Sequence, residues 1–270
     1  MKPAPFDYLR PESVREAVAA LAEEGARALG GGQSLGPMLN LRLARPARLV
    51  DVGRLPELRR VTETPEGVLF GAAVTHAEIE DGAVPDPTRG VMPAIARGIA
   101  YRAVRNRGTI GGSLAHADPA ADWPLTLVAL DAIVHLTALT GHRQMPVSDF
   151  ITGAFETALK PGEIISGVFV PRLSDAARWG YHKACRKVGE FAEAMCALLV
   201  DSPRGVSRMA VGAIEAKPII MTDQSVVADP ARLDPVLRAA GLDADAATFH
   251  LHRAVIRRAV AMVKGEGVTS

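Results

Sequence analysis

The chain has 270 residues, 48% hydrophobic and 23% charged, an ordinary globular composition with room for one large domain or two modest ones. Its 31 basic and 30 acidic side chains leave a net charge of +1, and no basic block or aromatic–basic interleaving points to nucleic acid. No apolar run approaches a membrane span, no signal core opens the chain, and its two cysteines, Cys185 and Cys196, form no Cys-x-x-Cys pair, so a cytoplasmic setting without an iron–sulfur cluster of its own is expected.

Ser13 and Glu16 have capping-box spacing ahead of Val14, Ala17, Val18 and Leu21, which predicts a helix ending near Gly25. Arg27-Ala28-Leu29 reads as a strand running into Gly30-Gly31-Gly32-Gln33-Ser34. Residues 35–43 read as a helix and 48–52 as a strand, and the turn Thr64-Pro65-Glu66-Gly67 leads into a strand over 68–74. Thr75 and Glu78 form a second capping box opening a short helix, and a helix is expected over 92–101. Then comes a second glycine turn, Thr109-Ile110-Gly111-Gly112-Ser113, and Asp118-Pro119 reads as the cap and first turn of a helix reaching Leu130.

Strands are expected over 133–139 and 164–170, and Pro171 to Ala177 is the best linker candidate. Beyond it lie a strand near 180–183, an amphipathic segment over 191–200, a strand over 207–214 and two helices, 230–240 and 246–263. Strands and helices mix without regular β-α-β alternation, which favours an α+β fold.

The two glycine turns are the main chemical signal. Each sets residues without a Cβ beside a hydroxyl, so backbone N–H groups can converge on an anion. Leu35 stands where the third glycine of G-x-G-x-x-G belongs, and neither turn leads into Gly-Lys-Ser/Thr. A pair of loops closing on one diphosphate remains, with Ser34, Thr109 and Ser113 adding hydroxyls; tight turns alone are the plainer alternative. Asp118 and Asp122, four apart, are candidates to accept hydrogen bonds from a ribose or adenine, against capping and a solvated face. None of the seven histidines completes a metal set, and no Ser-His-Asp elbow occurs, so neither a metal nor a catalytic residue is expected. Lys183, Arg186 and Lys187 cluster before Gly189-Glu190-Phe191, either as a solvated face or as cations and an aromatic near a redox ring.

The blocks Gly31-Gly32-Gln33-Ser34-Leu35, Leu41-Arg42-Leu43-Ala44-Arg45-Pro46 and residues 104–122, followed by Asp149-Phe150 and the 183–192 segment, resemble the FAD-binding medium subunit of molybdenum hydroxylases, the group of carbon monoxide dehydrogenase and bacterial xanthine dehydrogenases. The resemblance spans most of the chain to about residue 200 and is most specific over 104–122. Gly30 and Glu190 stand where the family commonly has alanine and aspartate, and the chain diverges after Ile214.

The resemblance implies a two-lobed FAD-binding domain of the vanillyl-alcohol oxidase type over residues 1–174, with lobes of about 1–53 and 54–174. A C-terminal domain over 175–270, with a three-stranded antiparallel sheet and helices, would follow. It implies that Gly31, Gly32, Gln33, Ser34 and Leu35, with Thr109, Ile110, Gly111, Gly112, Ser113 and on to Ala115, hold the pyrophosphate of FAD. Asp122 would contact its ADP side, and Lys183 and Phe191 would lie near the flavin. Partners would be a large molybdenum-cofactor subunit and a small subunit with two [2Fe-2S] clusters, assembled as a dimer of heterotrimers. This chain would pass electrons from those clusters through FAD to an external acceptor. A stand-alone flavin-dependent oxidoreductase of the same fold is the alternative, and a non-enzymatic nucleotide-binding module a third reading.

Overall fold

The computed structural model describes residues 2–223, 229–242 and 245–266; residues 224–228, 243–244 and 267–270, which the expected C-terminal domain includes, lie outside the described residues. The architecture is α+β, with three larger sheets taken in chain order and a two-stranded ribbon, Ile151–Gly153 with Glu156–Thr157.

The first sheet is parallel, with Arg48–Asp51 between Asp7–Leu9 and Ala26–Leu29. The Val14–Leu21 helix crosses between its first two strands in sequence and buries Ala17 and Val18. Ser13 caps that helix by accepting from the Glu16 N–H, but the Glu16 carboxylate accepts from the Glu12 N–H, so only half of the expected box forms. The Leu35–Asn40 helix leads from the second strand toward the third and stops short of the expected Leu43.

The second sheet is antiparallel, in the order Val61–Thr64, Gly67–Gly71, Ile164–Pro171, Ile133–Ala138, Gly141–Pro146. Pro65-Glu66 forms the tip of its first hairpin, between Val61–Thr64 and Gly67–Gly71. The capping box at Thr75 and Glu78 is complete: Thr75 Oγ1 accepts from the Glu78 N–H, and the Glu78 carboxylate accepts from the Thr75 N–H. The helix after the second glycine turn starts at Asp122 with Ala121 at its cap, not at Asp118. Asp118 instead closes a local turn by accepting from the Ala120 N–H at 2.9 Å. Every residue of that Asp122–Ala129 helix is buried.

The third sheet, Arg178–Ala184, Ala194–Asp201, Val206–Gly212 and Ile219–Met221, is antiparallel. It contains the three expected strands and a short fourth. The segment expected to be amphipathic is its second strand, buried along its whole length. Strand geometry sends alternate side chains to opposite faces. Ala194, Cys196, Leu198 and Val200 enter the core shared with the C-terminal Ala246–Lys264 helix, whereas Met195, Ala197 and Leu199 enter the core of the second sheet. Both faces are covered, so the segment reads as an unbroken apolar run. The hydrophobic core therefore continues across residue 174. Ser174, in the expected linker, is tied by its N–H and hydroxyl to the buried Asp201 carboxylate.

Candidate functional site

A cavity of about 920 Å³ lies where the parallel sheet, the Ile110–His116 helix, residues 159–165 and residues 189–193 converge. The first glycine turn reaches it directly from the end of the Ala26–Leu29 strand, so Gly30 to Leu35 lie outside the carboxyl edge of a parallel sheet.

The two glycine turns touch each other. A Cβ on Gly31 would stand 1.8 Å from the Arg107 carbonyl oxygen, and one on Gly30 would stand 3.2 Å from Thr109 Oγ1. The Gly31 carbonyl accepts from Gln33 Nε2 at 3.1 Å and from Arg107 Nε at 3.3 Å. Gly31 is thus required by loop-on-loop contact. Gly32, at φ +74°, supplies the left-handed turn.

Their hydrogen bonding differs. Among the described residues, nothing takes up the backbone N–H groups of Gly31, Gly32, Gln33 or Ser34, and these four residues line the cavity. A run of open amides of this kind is chemically able to take up an anion. In the second turn, Ile110 N–H donates to the Val74 carbonyl and Gly111 N–H to the Ala72 carbonyl. Gly112 N–H donates to Thr109 Oγ1 and Ser113 N–H to the Thr109 carbonyl. The expected convergence of amides from both turns is therefore corrected: the first turn offers N–H groups, and the second offers the hydroxyls of Thr109 and Ser113. Gly111 is needed for packing, since a Cβ there would lie 2.5 Å from the Ala72 Cβ. Ile110 is fully buried in the core and does not line the cavity.

Asp122 and Lys183, expected at opposite ends of a cofactor, are brought to one point. Lys183 Nζ donates to Asp122 Oδ1 at 2.9 Å and Oδ2 at 3.1 Å, and to the Gly98 carbonyl at 3.2 Å. The Tyr181 hydroxyl donates to Asp122 Oδ1 at 2.6 Å. Burial, reinforced by the Asp122 charge, pushes the Tyr181 hydroxyl well above its ordinary pKa. Asp122 lines the cavity, but Lys183 does not; its ammonium is spent on the carboxylate. Phe191 does line it and is 65% exposed. Its loop is held by Gly189, at φ +93°, whose missing Cβ would lie 2.7 Å from the Ala100 carbonyl oxygen.

Several further residues line the cavity. Arg27 is an exposed strand residue at the cavity edge. Glu163 is held by Arg143 through two bonds of 2.7 Å, which keeps its carboxyl below the usual range. His116 lines the cavity half-buried; burial pulls its pKa down, Asp118 pulls it up and Arg27 pulls it down. His76 is buried, and its Nδ1 accepts from Trp123 Nε1 at 2.9 Å. Burial, with Arg105 adding to it, drives His76 down to a pKa of about 4. The capping box marked the position before it, but nothing local marked its contact with Trp123. Among the described residues no group of three or more His, Cys, Asp or Glu side chains could hold a metal, and no helix is long and apolar enough to cross a membrane.

The donor set fits a dinucleotide with a diphosphate: open amides, hydroxyls and a carboxylate around a large cavity with mostly apolar walls. Residues 4–173 match the family described as the FAD binding domain in molybdopterin dehydrogenase. The chain is 36% identical to the nicotine 6-hydroxylase medium subunit of Paenarthrobacter nicotinovorans, over 91% of this chain and 88% of that one. It is 38% identical to the carbon monoxide dehydrogenase medium chain of Hydrogenophaga pseudoflava, over 74% and 70%. Among solved structures, carbon monoxide dehydrogenase from H. pseudoflava lacking the Mo-pyranopterin moiety of the molybdenum cofactor superposes with a TM-score of 0.87 at 30% identity, covering 98% of this chain and 99% of that one. Quinoline 2-oxidoreductase from Pseudomonas putida 86 gives 0.84 at 30% identity, covering 98% and 99%. The two glycine turns, the cavity they share and these likenesses lead to one assignment: the chain belongs to the FAD-binding medium-subunit family of the molybdenum hydroxylases.

Proposed function

We propose that this chain is the electron-relaying subunit of a multisubunit molybdenum hydroxylase, taking electrons from iron–sulfur clusters on a partner and delivering them through FAD to an external acceptor. The observation that carries this reading is the open amide run Gly31–Ser34, facing a large cavity beside the hydroxyls of Thr109 and Ser113. FAD, when bound, supplies the redox chemistry, and the chain's work is to hold and orient it. In this reading Gly31, Gly32, Gln33, Ser34 and Leu35 seat the diphosphate with Thr109, Gly112 and Ser113. Asp122 and Phe191 border the cofactor, Lys183 acts by fixing Asp122, and Ile110 and Gly111 shape the loop from behind. No side chain here is assigned as acid or base toward an organic substrate.

The partners in this reading are a large molybdenum-cofactor subunit and a small subunit with two [2Fe-2S] clusters, as a dimer of heterotrimers in the cytoplasm. Cys196 is fully buried, and its thiol is pushed above its usual range by burial, which suits a core residue rather than a cluster ligand. We also read residues 1–174 as the FAD-binding unit, with lobes meeting near residue 53, and 175–270 as a C-terminal unit. The family match ending at residue 173, just before the Arg178–Ala184 strand, supports that division.

Purification from the native source tests the assignment. The expected result is a yellow protein with extractable FAD, accompanied by a molybdenum-bearing and a cluster-bearing subunit. A flavin-loaded chain that oxidised an organic substrate without such partners would overturn the relay reading in favour of a stand-alone flavoenzyme.

A further inference from the structure

His76 is a buried imidazole in the cavity wall to which the proposed function assigns no task. Its place is set by neighbours on three segments. Thr75 caps the His76–Glu80 helix, the His76 N–H donates to the Gly108 carbonyl at 2.9 Å, and the indole of Trp123 donates to Nδ1. An imidazole that accepts at Nδ1 carries its ring proton on Nε2 when neutral. Among the described residues, Nε2 has no hydrogen-bond partner. It also lies beside Gly108, where a Cβ would come within 2.7 Å of it, so any side chain at 108 would cover it. Gly108 immediately precedes the Thr109 hydroxyl and itself lines the cavity. His76 is only 6% exposed, yet Nε2 is not among the fully enclosed polar atoms without a partner, so an acceptor atom of a ligand in the cavity can reach it.

We propose that His76 Nε2–H donates a hydrogen bond to an acceptor oxygen of the FAD held in this cavity, with Trp123 fixing the tautomer that makes the donation possible. This rests on the reading that FAD occupies the cavity. His76 is then a neutral donor of fixed direction, placed behind the second glycine turn where backbone amides are already committed. It gives that side of the cavity an N–H that the turn itself does not supply.

The test uses the full chain, with whatever subunits purify with it, stripped of flavin and titrated back with FAD. Quenching of flavin fluorescence is expected to show about tenfold weaker binding for His76→Leu, the loss of one hydrogen bond. His76→Gln, whose side-chain amide can offer an N–H near the Nε2 position, is expected to restore binding. Equal affinity for wild type and His76→Leu overturns the inference, as does equal weakening in both variants, which marks a packing role. A readout on the unmutated protein guards against a variant that does not fold. Nitrogen NMR with labelled histidine is expected to show His76 protonated at Nε2, with that resonance moving when FAD is added. A proton on Nδ1, or an Nε2 resonance indifferent to FAD in a sample that binds it, overturns the inference. If the unmutated protein binds no FAD at all, the underlying reading of the cavity fails instead.

Discussion

Asp122 and Lys183 meet as a buried ion pair at 2.9 Å, with the two side chains only 8% and 9% exposed. The pair joins the first residue of the Asp122–Ala129 helix to the edge strand of the third sheet, and Tyr181 on the same strand completes it. It stands where the cavity wall passes from one sheet system to the next.

Removing one member of this pair leaves the other charged and buried. Lys183→Met is expected to destabilise the chain by about 3 kcal/mol, in the range for breaking a buried pair from one side. The measurement is the urea midpoint at unchanged slope. Combining it with Asp122→Leu should cost less than the sum of the two single changes, since no orphaned charge remains. Strict additivity would show that the two groups do not stabilise one another.

Gly31 and Gly36 separate a glycine that is needed from one that is not. At Gly31 a Cβ would collide with the Arg107 carbonyl, so Gly31→Ala is expected to part the two turns, cost about 1–3 kcal/mol and abolish flavin retention. At Gly36, inside the Leu35–Asn40 helix, a Cβ meets nothing within 4 Å. Gly36→Ala should retain flavin and gain about 0.5–1 kcal/mol. The flavin-to-protein absorbance ratio and the thermal midpoint check both; a Gly31→Ala protein with wild-type flavin content would refute the loop contact as a requirement.

Stability should fall on mild acidification through His76. Its folded-state pKa is lowered from 6.5 to about 4, so between these values the unfolded chain binds a proton that the folded chain does not. Stability from this group is complete above the unfolded pKa and is lost as pH falls toward the folded one. The slope is about 1.4 kcal/mol per pH unit, or roughly 3 kcal/mol by pH 4. Urea unfolding at neutral pH and near pH 4.5 should show a smaller acid loss in His76→Gln than in wild type. His116, His135 and His182 are also lowered by burial, and the comparison between the two proteins isolates His76. Identical acid losses would remove His76 as the cause.

Features closed within a few residues were legible in the sequence. The Thr75–Glu78 box, the Pro65-Glu66 hairpin tip and the first glycine turn after a strand all form as their local chemistry demands. The structure departs from the local pattern where a competing bond or a second buried face intervenes. Asp118 has the residue type of a cap, but its carboxylate finds the Ala120 N–H, and the helix begins later at Asp122. The 194–201 segment shows no clean alternation because both of its faces are buried.

The sequence by itself determined the two glycine turns, their hydroxyl neighbours and the run over 104–122 that carries the family resemblance, because short-range backbone and side-chain chemistry specifies them. Only the tertiary structure decided which turn keeps its amides free. The N–H groups of Ile110 and Gly111 are consumed by the Val74 and Ala72 carbonyls, dozens of residues earlier in the chain, while those of Gly31 to Ser34 find no partner among the described residues. It also joined Lys183 to Asp122 and set the His76 proton through Trp123. A hydrogen bond needs a partner about 3 Å away in space, and sequence spacing does not say which groups folding will bring that close.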